Sequence, residues 1–214
     1  PVFDAINLTF TTISTGGMSI KNANVGFYHD NIVYAITMFL MILGATSFTV
    51  HYKIIKTRGK SFFKDIQVQV MLSLIILATL GVIFLTRNEP VETLFHVISA
   101  ITTTGANISS PAYMTTWPSL SLMVLMVLMM IGGSSGSTVG AMKIIRVITA
   151  IKGINLTLTK LISPQGRVLS VKIAGKKLKE TEIREATAYL FLYLVFLLFG
   201  WGVFLYFGYD PFQS

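Results

Sequence analysis

Two Thr/Ser-Gly segments stand out because the second is a near copy of the first, 89 residues later. The first reads Phe10-Thr11-Thr12-Ile13-Ser14-Thr15-Gly16-Gly17, and the second reads Ser99-Ala100-Ile101-Thr102-Thr103-Thr104-Gly105. Each follows a short apolar segment. If that segment is a helix, its C-terminal end directs free carbonyl groups and a partial negative charge at the Thr-Gly turn, where a cation would be stabilised. The alternative is an ordinary short helix that ends at a glycine cap.

The repeat extends beyond these two segments. Pro1-Val2 matches Pro90-Val91 at an offset of 89, and Lys53-Ile54-Ile55-Lys56 matches Lys143-Ile144-Ile145-Arg146 at an offset of 90. A repeat that keeps its register over this distance indicates one structural unit used twice. The sequence leaves open which glycine of Gly16-Gly17 corresponds to Gly105, and the offset of 89 favours Gly16. The order of segments in each copy predicts a re-entrant pore loop followed by a membrane-spanning helix.

The composition places the chain in a lipid bilayer. Its 214 residues are 53% hydrophobic and 12% charged, with a mean hydropathy of +0.70, whereas soluble domains carry about 25% charged residues. There are no cysteines, which excludes disulfide and thiol chemistry. The chain begins with Pro1 and carries no signal-peptide pattern, so we interpret it as part of a longer protein. The long uncharged or apolar runs are Ile32–Val50, Ile66–Thr86, Pro118–Ile131 and Ala186–Phe207.

The short apolar segment Val2–Ile13 has 12 residues, and a membrane-spanning helix needs about 20. Fifteen of the 17 lysines and arginines lie in residues 51–65 and 143–185. By the positive-inside rule these two segments are cytoplasmic, which puts both pore loops on the outer side in the same orientation. The positive charge is thus a topology signal for a multi-pass protein of the cell (inner) membrane. Nucleic acid is not expected as a partner, because no stacking aromatics accompany these lysines.

A glycine-serine stretch interrupts the apolar sequence directly after the run Pro118–Ile131. It reads Gly132-Gly133-Ser134-Ser135-Gly136-Ser137-Thr138-Val139-Gly140. Each glycine destabilises a helix by about 1 kcal/mol relative to alanine. Non-helical backbone at membrane depth is tolerated only where protein buries it or water reaches it, so the stretch is predicted to line a cavity. The alternative is a small-residue face for helix packing.

The ordered set of these motifs resembles the Trk/Ktr/HKT superfamily of potassium transporters, most closely its TrkH branch. The motifs that carry the resemblance are Thr12-Ile13-Ser14-Thr15-Gly16-Gly17, Thr102-Thr103-Thr104-Gly105, Ile131-Gly132-Gly133-Ser134-Ser135-Gly136-Ser137-Thr138, and Ser163-Pro164-Gln165-Gly166-Arg167-Val168 through Val171-Lys172. The resemblance covers essentially the whole chain. It implies an all-α integral membrane fold of parallel helix–pore loop–helix repeats around a potassium-channel-like, pseudo-fourfold pore, of which this chain is a part.

The family has four such repeats and forms a homodimer. On that template, residues 1–65 hold the pore helix, filter and outgoing helix of the second repeat, and residues 66–146 form the complete third repeat. Residues 147–185 are a basic cytoplasmic segment, and residues 186–214 are the first helix of the fourth repeat. With two of four filter loops, the chain alone is not expected to transport.

The resemblance also implies the site. Backbone carbonyls would bind the transported K⁺, with glycine needed where a Cβ would not fit; no organic cofactor is expected. The filter residues carried over are Ile13, Ser14, Thr15, Gly16, Gly17, Thr102, Thr103, Thr104 and Gly105. The family's intramembrane gate maps onto Gly132, Gly133, Ser134, Ser135, Gly136, Ser137, Thr138 and Gly140. A cytoplasmic nucleotide-binding RCK subunit is the expected regulatory partner. Ala106 departs from the family, which often has Phe there.

Two other functions were considered. Gly133-Ser134-Ser135-Gly136 has the form found around the nucleophile of intramembrane serine proteases, with Ser135 as the candidate. That chemistry needs a general base within hydrogen-bond reach, and His29, His51 and His96 all precede the serine on other segments. The second alternative is a sodium or ammonium conduit on the same fold. Glycine in both predicted filters favours potassium but does not exclude a sodium or ammonium conduit.

Overall fold

The computed structural model describes residues 2–57, 62–163, 172–173 and 175–208. The chain is divided into two compact units, Pro1–Ile144 and Ile145–Ser214. Most of the Ser163–Lys172 motif, together with Arg58, Lys60 and the last six residues, lies outside the described residues.

The first unit is built from helices. They are α1 (Val2–Ile13), a 3-10 helix (Asn24–Tyr28), α2 (Asn31–Ala45), α3 (Phe48–Thr57), α4 (Ile66–Thr86), α5 (Pro90–Ile101), α6 (Pro111–Met114) and α7 (Ser119–Ile131). The α5 helix packs against α2, α4 and α7, and it is buried from Phe95 through to its last residue. Both short helices predicted from the sequence are confirmed, with 12 residues each. Pro90 occupies the first turn of α5. Backbone N–H groups in the first turn have no partner within the helix, so the N–H that proline lacks is not needed there.

The two copies align at an offset of 88, not 89. The helices α1 and α5 are 88 residues apart at both ends. The backbone hydrogen bonds directly after these helices also match at an offset of 88 residues. Thr15 N–H donates to Thr12 O (3.1 Å) and Gly16 N–H to Thr11 O (2.7 Å), as Thr103 N–H donates to Ala100 O (3.0 Å) and Thr104 N–H to Ser99 O (3.0 Å). The predicted pairing of Gly105 with Gly16 is therefore wrong, and Gly17 is its structural counterpart.

The uncharged run Ile32–Val50 is not one straight helix, contrary to prediction. The α2 helix ends at Ala45, α3 begins at Phe48, and the two axes differ by 102°. At the N-terminus of α2, the Asp30 carboxylate accepts a hydrogen bond from Ile32 N–H (2.7 Å), which caps the helix. At the break that ends α2, backbone groups are hydrogen-bonded by residues 132–140.

Two described helices are long and apolar enough to cross a membrane, α4 and the last helix, α9 (Glu180–Tyr206). The bent pair α2 and α3 passes the same test as one broken span. These helices agree with the predicted runs at Ile66–Thr86 and Ala186–Phe207, although α9 begins six residues earlier. Its extension is stabilised at Lys179, whose backbone N–H donates to Glu182 Oε2 (2.9 Å).

The second unit holds α8 (Ile144–Ile162), whose first residue belongs to the first unit, and α9. Strands β1 (Lys172–Ile173) and β2 (Lys176–Lys177) pair antiparallel, with Ile173 opposite Lys176. Within this unit the Arg146 guanidinium lies 3.8 Å from the ring centre of Tyr189.

Replacing Gly44 with alanine is expected to destabilise the fold by about 1–3 kcal/mol. A Cβ at this position would lie 2.5 Å from the Ile13 carbonyl oxygen, so α2 could no longer approach the end of α1. Gly81→Ala is the matched control, because nothing lies within 4 Å of its added Cβ. The thermal unfolding midpoint of the full-length protein in detergent should fall for Gly44→Ala and hold or rise for Gly81→Ala. Equal midpoints would contradict the close helix approach.

Candidate ion filter and gate

The two Thr/Ser-Gly segments begin where α1 and α5 end and have the same backbone path. Each takes positive φ at alternate residues, at Thr15 (55°) and Gly17 (67°) in the first loop and at Thr103 (50°) and Gly105 (76°) in the second. The left-handed region suits glycine but strains a β-branched residue such as threonine. This strained path is thus built twice at matching positions, and it directly follows the negative end of a short helix.

The two loops lie side by side with their backbones in contact. A Cβ added to Gly17 would fall 1.8 Å from the Thr104 carbonyl oxygen and 3.0 Å from the amide nitrogen of Ala106. Further along, Gly26 N–H donates to Asn107 O (3.3 Å). Ala106 itself is buried. The structure therefore brings the predicted filter residues of both copies together, and only a residue without a side chain fits at Gly17.

Several carbonyl oxygens of these loops have no hydrogen-bond donor among the described residues. They are those of Thr15, Gly16, Thr102, Thr103, Thr104 and Gly105. As residues, Thr102 and Thr104 are buried, at 0% and 3% exposure, whereas Gly16 and Gly105 are exposed. Backbone carbonyl groups in proteins are usually hydrogen-bonded, because leaving one unpaired away from water is unfavourable. A bound cation would satisfy these oxygens.

The hydroxyl groups of Ser14, Thr15 and Thr102 turn back onto their own backbone. Thr102 Oγ1 donates to Ile98 O (2.8 Å) and lies 2.7 Å from Thr104 Oγ1. In the first loop Ser14 Oγ donates to Thr11 O (3.2 Å). The hydroxyls stabilise the turns, which leaves the backbone oxygens as the groups available to an ion. Across the described residues there is no group of three His, Asp or Glu side chains that could hold a metal.

The glycine-serine stretch 132–140 is non-helical, as predicted, and it fills the break between α2 and α3. Ser134 N–H donates to Ala45 O (3.0 Å) and Thr138 N–H to Gly44 O (3.3 Å). Phe48 N–H, at the start of α3, donates to Gly136 O (2.9 Å). The backbone groups freed by the break are thus satisfied by this stretch, which explains why an uninterrupted apolar sequence can bend there.

The same stretch reaches both filter loops. The Thr138 hydroxyl lies 3.0 Å from the carbonyl oxygens of Ile13 and Gly44, and Gly140 N–H donates to Thr103 Oγ1 (3.1 Å). An open cavity of about 620 Å³ adjoins Ile13 and Thr138. The predicted gate and filter residues therefore form one hydrogen-bonded assembly.

The rest of the stretch is held from other sides. Ser135 N–H donates to Gln67 Oε1 of α4 (2.7 Å), and Ser137 Oγ donates to Ser134 O (2.6 Å). Gly132, Gly133 and Ser134 are buried. Gly133 also packs closely, since its Cβ would lie 3.0 Å from Ala45 O, so close small-residue packing coexists with the predicted non-helical path.

No histidine bonds to Ser135 within the described residues. The imidazole Nε2 of His51 lies 3.0 Å from Leu43 O, and that of His96 lies 3.3 Å from Ser109 Oγ. His29 ends the 3-10 helix in a left-handed conformation. None of the three histidines is therefore placed as a general base for Ser135 in this part of the chain.

Sequence reasoning missed three groups that hold the loops in place. Asn24 Nδ2 donates to Gly17 O (2.9 Å), Ser99 Oγ donates to the buried Ala106 O (2.6 Å), and Gln67 holds the gate stretch. Gln67 could have been noticed as a polar residue inside an apolar run. Nothing in the sequence distinguishes Asn24 from its polar neighbours.

Comparison with known proteins gives consistent results. The family model for TrkH, described as cation transport protein, matches residues 1–88 and 88–205. An uncharacterized cation transporter of Methanocaldococcus jannaschii is 35% identical over 99% of this chain and 43% of its own length. The Trk system potassium uptake protein TrkH of Salmonella typhimurium is 27% identical over 92% of this chain and 43% of its own. The chain thus spans less than half the length of these curated relatives.

A solved structure has the same fold. The crystal structure of the potassium transporter TrkH from Vibrio parahaemolyticus matches with a TM-score of 0.88, covering 99% of this chain and 47% of that one, at 24% identity. At this identity the likeness concerns the fold. It confirms the predicted helical membrane architecture with pore loops between helices.

Proposed function

Because the chain belongs to the TrkH family of cation transport proteins, we propose that it forms part of the pore-forming subunit of a potassium uptake system. The names of its relatives support potassium as the ion. The observation that carries the proposal is the pair of adjacent loops, Ile13–Gly17 and Thr102–Gly105. Both follow the negative end of a short helix, and both have carbonyl oxygens without donors.

In this proposal, K⁺ sheds its water and is coordinated by backbone oxygens of the two loops, together with further loops of the complete protein. Carbonyl rings of this kind replace an ion's hydration shell in potassium channels. The left-handed residues Thr15, Gly17, Thr103 and Gly105 set the path on which these oxygens lie. The C-terminal ends of α1 and α5 contribute partial negative charge near the ion.

Residues 132–140 act as the gate. Their bonds to Ile13 and Thr103 support this role, because the stretch cannot leave its position without breaking contacts at both filter loops. Glycines at 132 and 136, both with positive φ, allow another backbone path at low steric cost. A cytoplasmic RCK-type subunit would act on this gate in the complete protein.

The placement in the membrane follows from charge. Residues 51–65 and 143–185 would be cytoplasmic, and both loops would face outwards. The proposed units are the second-repeat segment 1–65, the third repeat 66–146, the basic segment 147–185 and the fourth-repeat helix 186–214. The complete protein would work as a homodimer in the cell membrane, with no organic cofactor.

The serine-protease alternative is wrong, because the family consists of cation transport proteins and not of enzymes. A sodium or ammonium conduit on the same fold stays open as the second candidate. The glycines at 17 and 105 favour potassium over it, but the ion's identity requires measurement.

The proposal is tested by rubidium uptake of the full-length protein in bacteria that lack their own potassium uptake systems. Wild type is compared with Gly105→Ser, with sodium and ammonium as competitors. Gly105 has φ +76° and no atom within 4 Å of an added Cβ, so the serine fits but is strained by about 1–2 kcal/mol in the left-handed region. The variant should fold and lose uptake or its preference for potassium.

Gly81→Ala serves as the control, since it changes a glycine away from the loops without strain. Uptake by wild type and the control, but not by Gly105→Ser, supports the proposal. If the wild type is well expressed and an equal concentration of sodium or ammonium abolishes its rubidium uptake, the result favours the sodium or ammonium conduit. Normal potassium selectivity in Gly105→Ser contradicts a filter at this loop.

A further inference from the structure

The two pore helices carry a carboxylate at the same position. Asp4 lies in the first turn of α1 and Glu92 in the first turn of α5, and these residues coincide at the structural offset of 88. At the offset of 89 suggested by the sequence, Glu92 pairs with Phe3, so this equivalence is hidden. Asp4 is buried, with 8% exposure. A carboxylate that is buried in one copy and half-buried in the other calls for a partner.

The partners coincide at the same offset. Lys21 Nζ lies 3.7 Å from Asp4 Oδ2 in the first copy, and Ser109 Oγ donates to Glu92 Oε1 in the second. Lys21 and Ser109 are also 88 residues apart, and each lies four residues after the last glycine of its loop. The side chains differ, since one pair forms an ion pair and the other a hydrogen bond. In both copies the contact joins the first turn of the short helix to the segment that follows the loop.

We propose that Asp4 and Glu92 are positioning residues, each of which ties the start of a pore helix to the segment leaving the filter loop. We call these links the carboxylate clamps. A clamp joins the start of the pore helix to the segment after the filter loop. The filter backbone lies between these two points in the chain, so it is held on both sides. This inference rests on the proposed function, because positioning has meaning only if the loops bind the transported ion.

The surroundings of each clamp restrict its movement. In the first copy, Lys21 Nζ also lies 4.8 Å from the ring centre of Phe27. Burial and the neighbouring Asp4 carboxylate, which also hydrogen-bonds to its hydroxyl, raise the pKa of Tyr28. Asp4 therefore interacts with both Lys21 and Tyr28, which lie beyond the loop Ile13–Gly17.

In the second copy, His96 Nε2 lies 3.3 Å from Ser109 Oγ. The buried hydrogen bond from Ser99 Oγ to Ala106 O fixes the segment between Gly105 and Ser109. Removing Glu92 would leave Ser109 held only by His96, which loosens the segment that follows Gly105.

A simpler role for these carboxylates is to stabilise the helix N-terminus, worth about 0.3–1 kcal/mol for an exposed group. The two roles make different predictions. Stabilisation of the helix dipole requires only the charge and is independent of residue 109. A clamp requires both partners, so its loss through Glu92 or through Ser109 should have the same effect, and the double variant should add nothing.

The test uses the full-length protein with Glu92→Ala, Ser109→Ala and the double variant, and measures rubidium uptake with sodium as competitor. Each single variant should weaken the preference for rubidium over sodium by at least about threefold, and the double variant should match them within error. Glu89→Gln is the matched control, because this exposed carboxylate at the N-cap of the same helix forms no side-chain capping bond. It should leave selectivity unchanged.

The first copy supplies a rescue experiment. Asp4→Asn and Lys21→Met should each lower selectivity, whereas Lys21→Arg, which keeps the ion pair, should retain it. A defect that is merely structural would lower the amount of folded protein without altering selectivity in what remains.

The clamp is overturned if selectivity in Glu92→Ala equals that in Glu89→Gln, or if the effects of Glu92→Ala and Ser109→Ala add. Failure of the proposed function gives a different result, since wild type itself would then show no rubidium uptake or no preference over sodium.

Discussion

Gly17→Ala is expected to abolish potassium uptake by the full-length protein, whereas Gly16→Ala, one residue earlier, should retain most of it. The Cβ at position 17 would lie 1.8 Å from the Thr104 carbonyl oxygen and 2.8 Å from its carbonyl carbon, and the residue has φ +67°. Backbone atoms cannot move aside as the end of a side chain can. The two loops would therefore have to separate, and the oxygens of both would be displaced.

Gly16 is the control because its added Cβ would make only ordinary contacts, the nearest at 3.4 Å to Ser14 Oγ and Thr11 Oγ1. Its φ is not among the positive values. Rubidium uptake and the fraction of folded protein after purification should both be measured for the two variants. If Gly16→Ala is as damaging as Gly17→Ala, the structural offset of 88 and the contact between the loops are both called into question.

The second large effect is expected at the gate, where Thr138→Val should raise basal ion flux and Thr138→Ser should not. The Thr138 hydroxyl lies 3.0 Å from Ile13 O and from Gly44 O, and valine keeps the shape but removes this group. Leaving such a carbonyl without its donor costs about 1–3 kcal/mol. Since 1.4 kcal/mol corresponds to a factor of ten in an equilibrium, the gate would leave the filter roughly 5- to 140-fold more often.

Rubidium flux into proteoliposomes that contain the full-length protein without a regulatory subunit measures this directly. Thr138→Ser keeps the hydroxyl and controls for the loss of a methyl group. A folded Thr138→Val protein with unchanged or lower flux would show that the contact with Ile13 does not hold the gate.

The sequence predicted the parts of the structure whose causes are local. The lengths of α1 and α5 followed from their short apolar runs. The non-helical path of residues 132–140 followed from its glycines. In each case the responsible residues lie within the element itself.

The bend between α2 and α3 could not be predicted in this way, because its cause is distant. The run through Thr46 and Ser47 reads as one helix, and the bonds that replace the lost helical ones come from Ser134, Gly136 and Thr138. A sequence of apolar residues does not reveal which carbonyls a segment about 90 residues away will satisfy.

The repeat offset was misjudged for a different reason. Consecutive threonines before Gly105 and two consecutive glycines at 16 and 17 allow two alignments of similar quality, and matching side chains favoured 89. The backbone bonds and the positive φ values set it at 88. At that offset Asp4 aligns with Glu92, a match that the sequence contains but that the offset of 89 hides.

The central claim is that backbone oxygens of the two loops bind the transported ion. The most direct measurement is anomalous scattering from rubidium in crystals of the full-length protein grown in rubidium chloride. We expect peaks within coordination distance of carbonyl oxygens in Ile13–Gly17 and Thr102–Gly105, which weaken when potassium replaces rubidium. Rubidium peaks found only away from these loops, with the loops themselves well ordered, would contradict the account.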